Sequence, residues 1–132
     1  MKMSQIDPIA DALTHIQNSE TASKRHIMIK PGSKLLGQIL RVMKEKGYIS
    51  SVEEVAERHK KMYKVEFLGK INHVSAIKPR YAVKKNEFER FEMRYLPARD
   101  IGTIIVSTSQ GVMTHVESKE KAIGGRLLAY IY

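Results

Sequence analysis

"GTIIVSTSQGVMTHV", residues 102–116, decides how this chain is read. Two apolar, β-branched runs flank three consecutive hydroxyl side chains, Ser107, Thr108 and Ser109, followed closely by Gly111. Runs of that kind separated by a small polar segment read as two strands joined by a turn, with Gly111 supplying the positive φ the turn needs. On the second strand, alternation puts Met113 and His115 on one face. The hydroxyls have two readings. Small polar side chains that hydrogen-bond their own backbone are ordinary turn chemistry. Three in a row exceed what one turn uses, and groups that donate and accept without charge suit base edges and ribose 2′-hydroxyls in a shallow RNA groove.

Working outward, "ESKEKAI" reads as a short turn or helix, Gly124 and Gly125 follow, and "RLLAYIY" is a last strand. Upstream, the pattern restarts around Gly69 to Asn72, where "INHVSAI" is a fresh strand leading into the basic segment "KPRYAVKK". "NEFERFEMRYLP" is a short helix with Asn86 and Glu89 at capping-box spacing, Phe88 and Phe91 on its apolar edge and Pro97 as breaker. The first half differs in kind. "DPIADALTHIQNS" is a helix capped by Asp7, with Pro8 at the first helical position and Ile6, Ile9, Ala10, Leu13 and Ile16 on one face. "HIMIK" is a strand, and "PGSKLLGQILRVMKEKG" a second helix starting at Ser33 and stopped by Gly47, with Leu36, Ile39, Leu40 and Met43 as its buried stripe. Strands "YISSVEEVAE" and "MYKVEFLG" join across the charged turn "RHKK". The expected class is α/β of the α+β kind in two small subdomains. Residues 1–70 run helix, strand, helix, strand, strand; residues 71–132 are mainly β and carry the RNA-binding role.

The 132 residues, 42% apolar and 28% charged, are enough to bury a compact core. Lys and Arg number 23 against 14 acids, a net charge of +9 that attracts polyanions and makes nucleic acid the leading partner class. With zero cysteines there is no disulfide framework and no thiolate zinc site. The apolar runs are far too short for a membrane span, and the first residues lack a signal-peptide core, so a cytoplasmic protein without membrane or small-molecule partners is expected.

Catalysis and metal binding find little support. Ser107, Thr108 and Ser109 lie near His115, but the G-x-S-x-G elbow and a carboxylate placed to orient an imidazole are missing, so a serine hydrolase is the weakest reading. His15, His26, His59 and His73 are scattered without ligand spacing, and neither a metal nor a cofactor is expected. "PGSK" puts Ser33 and Lys34 where free backbone N–H groups and the helix dipole suit one phosphate, although a plain cap explains them as well. "KPRYAVKK" offers Lys78, Arg80, Lys84 and Lys85 to phosphates, with Tyr81 either stacking on an unpaired base or buried beneath a solvated loop.

"DPIADALTHIQN", "GTIIVSTSQGVMTH" and "GGRLLAYIY" closely resemble the universal small-subunit ribosomal protein eight family, over nearly the whole chain. The resemblance implies two tightly associated subdomains and a primary 16S rRNA binder that grips a helical hairpin of the central domain early in small-subunit assembly, beside other small-subunit proteins. It also implies that some members repress their own messenger RNA. By the same resemblance, Ser107, Thr108, Ser109 and Gly111 form the main RNA-contacting loop, with Gly124 and Gly125 nearby. Lys78 and Pro79 match a basic segment in which Arg80 stands where many bacterial members have glycine. Asp7, Pro8, Thr14, Asn18, Ser33 and Lys34 match contacts to a second rRNA region. His115 and Arg126 replace residues that are acidic in bacterial members, which looks like the archaeal or eukaryotic branch.

Overall fold

The computed structural model describes residues 7–30, 34–58 and 60–132, and Ile6, Ser33 and His59 lie outside them. The chain divides into two compact units, Met1–Asn72 and His73–Tyr132.

In the first unit, α1 (Pro8–Thr21) is followed by β1 (His26–Ile29), α2 (Lys34–Glu45), β2 (Ile49–Glu57) and β3 (Lys60–Phe67). Asp7 caps α1 as expected, its Oδ1 accepting from Ile9 N–H at 3.1 Å and Ala10 N–H at 3.2 Å. A Pro at the first helical position has no N–H to leave unsatisfied, so the two signals reinforce one another. Ile9, Leu13 and Ile16 from α1 and Leu36, Ile39, Leu40 and Met43 from α2 are buried together with Ile27 and Ile29 of β1. Gly47, at φ +79, ends the second helical run. The strands form an antiparallel sheet in the order β1-β3-β2. The hairpin is tighter than the sequence suggested: Lys60 and Lys61 belong to β3, not to the turn, because pairing continues through Ala56 opposite Lys61. Glu53 faces Lys64 in the same register, an opposite-charge cross-strand pair.

The second unit contains β4 (Val74–Ala76), β5 (Ala82–Val83), α3 (Phe88–Tyr95), β6 (Thr103–Thr108), β7 (Gly111–Thr114), α4 (His115–Glu120) and β8 (Gly125–Ile131). Its antiparallel sheet has the order β4-β8-β6-β7, with β5 also paired to β8. Ile77, Val83, Phe88, Phe91, Leu96, Ile104, Val106 and Leu127 make one core between sheet and α3. The α+β class is the observed one.

Two local expectations fail for physical reasons. No capping box forms between Asn86 and Glu89. The α3 cap is Glu87, whose carboxylate reaches back to accept from Lys84 N–H at 2.9 Å and closes the preceding turn instead. Nor does His115 lie on a strand. β7 ends at Thr114, whose hydroxyl accepts from Glu117 N–H at 3.1 Å and donates to the Glu117 carboxylate at 3.2 Å, so α4 begins at His115. The sequence carries that signal, since "THVE" has the Thr-x-x-Glu capping spacing.

Candidate nucleic-acid interface

Strands β6 and β7 form a hairpin whose two-residue tip is Ser109 and Gln110, with Thr108 paired to Gly111. Gly111 has φ +114 and open space around its Cα, so conformation and not crowding requires glycine there. The hydroxyls divide the work. Thr108 Oγ1 donates to Gly111 O at 2.8 Å and accepts from Gln110 N–H at 3.1 Å, which spends it on the turn itself. The hydroxyls of Ser107 and Ser109 hydrogen-bond to no other residue among those described. Ser109 is exposed and Ser107 half-exposed. The tip thus offers neutral donors and acceptors with no internal obligation.

Pairing then brings distant residues beside it. β8 lies between β5 and β6, so Ala82 faces Arg126, Arg126 faces Ser107, and Ser107 faces Val112 in one row across four strands. Directly paired residues of antiparallel strands project to the same side of the sheet. The opposite side is core, lined by Val83, Val106 and Met113. Arg126, exposed, therefore stands next to Ser107, and its Nη1 donates to Arg80 O at 3.4 Å. Arg126 is the cation beside the tip that local reading of the sequence did not select. Its signal was non-local: the strand register, not the neighbouring residues.

Gly124 and Gly125 owe their identity to packing. A Cβ on Gly124 would run into Val83 O and the backbone of Lys84, and one on Gly125 into Ser107 O and the Val106 side chain. These glycines let β8 pass between its neighbours. Lys78, Pro79 and Arg80 are exposed, with a cis peptide bond between Lys78 and Pro79, and Lys84 and Lys85 are exposed just beyond β5. Tyr81 is different. It packs against the core, its ring tilted on Phe91 at 5.4 Å with the Arg94 guanidinium 5.4 Å from its centroid. Of the two readings of Tyr81, the half-buried one describes its surroundings.

In the first unit, Asp7 is occupied as a helix cap, while Pro8, Thr14 and Asn18 are exposed along α1. Lys34 opens α2 and is exposed, and Ser33 lies outside the described residues.

His115 is only 3% exposed. Its Nδ1 accepts from Ile104 N–H at 3.0 Å, leaving Nε2 to face Glu92 Oε1 at 3.4 Å, and Lys119 Nζ holds the same carboxylate at 3.0 Å. Burial holds this imidazole below its ordinary value against the opposing pull of Glu92. Both ring nitrogens are engaged in tying α4 to β6 and α3, so His115 is not disposed as a base for a serine. Among the described residues no cluster of His, Asp and Glu has the makings of a metal site, and no helix is long and apolar enough to cross a membrane. A protein-family model described as Ribosomal protein S8 matches residues 7–132.

Proposed function

We propose a function from one premise: the chain belongs to the ribosomal protein S8 family, structural rRNA-binding proteins of the small ribosomal subunit that serve translation and are not enzymes. Its role is to bind 16S rRNA at a helical hairpin of the central domain and so promote assembly of the small subunit. The β6–β7 tip reads the groove, and cations draw the polymer in and hold its phosphates.

One observation carries this reading. The Ser107 and Ser109 hydroxyls are uncommitted at an exposed turn whose shape Thr108 and Gly111 maintain, with Arg126 alongside. Neutral hydroxyls in a pre-shaped turn can pair with base edges and 2′-hydroxyls without first breaking internal bonds. Lys78, Pro79, Arg80, Gly124 and Gly125 flank that tip as the edge of the same interface. Thr14, Asn18 and Lys34 belong to a second rRNA contact from the first unit. Binding of the chain's own messenger RNA would use the same tip on a similar hairpin.

Filter binding to a central-domain hairpin transcript over a range of salt concentrations tests the division of labour. Ser109→Ala should weaken binding by about 1 to 2 kcal/mol with the salt slope unchanged. Lys78→Ala should lower the slope by roughly 0.7 to 0.9. Identical slope changes for the two variants would refute it, as would equal affinity of the unaltered protein for random duplex RNA.

A further inference from the structure

Lys34, placed above in a second rRNA contact, stands at one end of a cationic groove of the first unit that holds two further cations, Arg41 and Lys44. The groove lies between α2 and the β2–β3 hairpin, encloses about 470 Å³, and is lined by Lys34, Arg41 and Lys44 of α2 with Glu54 of β2 and Tyr63 of β3 among others. At about 1.5 Å of rise per residue, Arg41 stands roughly 10.5 Å beyond Lys34 along the helix and Lys44 about 4.5 Å further. Those cations are spread too widely to share one small anion. A chain of phosphates has the length to meet more than one of them.

Charge and packing agree with that assignment. None of the three has an ion-pair partner among the described residues, and Glu54 is the lone acid among the described residues lining the groove, so three positive charges against one negative leave a net +2. The buried stripe of α2 is a different set of residues, and all three cations are exposed. They are therefore not what holds α2 in place. Gly37 shapes the groove: a Cβ there would come within 2.7 Å of the Tyr63 hydroxyl oxygen, so glycine lets the phenol lie against the helix. A neutral donor thus sits among the cations.

We propose that this α2/β2–β3 groove binds a stretch of RNA sugar-phosphate backbone, through Arg41 and Lys44 with the Tyr63 hydroxyl, as a contact distinct from the β6–β7 tip. The proposal rests on the reading of the chain as an rRNA binder and adds residues and a surface to it. Recognition here is by charge spacing and carries no base readout.

The test uses the full chain with a small-subunit rRNA transcript, measuring salt-dependent affinity and hydroxyl-radical protection. The double variant Arg41→Gln with Lys44→Gln keeps helix-favouring residues, and thermal melting checks that it folds as the unaltered protein does. It should lower the salt slope by roughly 1.4 to 1.8, two cations at 0.7 to 0.9 each, and lose one set of protected nucleotides that Ser109→Ala retains. The charge-preserving pair Arg41→Lys with Lys44→Arg should restore the slope. An unchanged slope and footprint in the double variant overturns the proposal. So does a defect seen only when other small-subunit proteins are present, which assigns the groove to an acidic protein segment. Loss of all specific protection in the unaltered protein would instead sink the underlying rRNA reading, and this contact with it.

Discussion

The β6–β7 tip and the α2 groove are both polar, yet they are built differently. At the tip the backbone is constrained: Thr108 is bonded into the turn, Gly111 holds a φ of +114, and Gly125 is pressed against Ser107 O, so two neutral hydroxyls occupy fixed places. Along α2 the cations are long, exposed side chains on a regular helix, placed only by its pitch. Fixed neutral groups discriminate, because an unmatched partner leaves them unpaired. Mobile cations attract any phosphate chain and respond to salt. On the proposed reading, specificity lies with the tip hydroxyls and attraction with the cations of both surfaces.

The sharpest way to break that contrast is Gly125→Ala. Its methyl group meets a backbone oxygen that cannot rotate away, so a loss of about 2 to 3 kcal/mol in urea unfolding is expected, with the tip displaced and hairpin affinity reduced. A stability and affinity equal to those of the unaltered protein would mean that the tip needs no such constraint. Next comes His115. Its folded-state value is lowered, so between that value and the ordinary 6.5 the unfolded chain binds more protons. Stability should be complete above about pH 6.5 and decline as pH falls through the folded value, and His115→Gln should flatten the dependence of the melting temperature on pH over that window. A slope identical in the variant would remove His115 as its source. Thr108→Val is the mildest. It deletes the bond to Gly111 O and should cost about 1 kcal/mol of stability, with weaker hairpin binding at an unchanged salt slope. If instead the slope moved, the tip would be contacting phosphate and the contrast with α2 would blur.

Much of the fold was legible locally. Asp7 followed by Pro8 announced α1, the spacing of Leu36, Ile39, Leu40 and Met43 announced α2, and the apolar runs around Ser109 announced the hairpin. Errors came where two local signals competed. Asn86 and Glu89 had capping-box spacing, but Glu87 was better placed to close the turn at Lys84. Alternation carried the second strand to Val116, whereas the Thr114 to Glu117 cap ended it two residues earlier.

The sequence by itself determined the elements, the basic balance and the unusual run of hydroxyls, because helix and strand periodicity and turn chemistry are properties of near neighbours. Only the three-dimensional structure decided which of those hydroxyls the turn itself uses, why two glycines stand together, that Tyr81 packs half-buried against the core, and that Arg126 lies beside Ser107. The close fit of the glycines and the place of Arg126 depend on β8 running between β5 and β6, a pairing of segments far apart in the chain. Such pairing is set by the burial of a common core, and no short window of residues contains it.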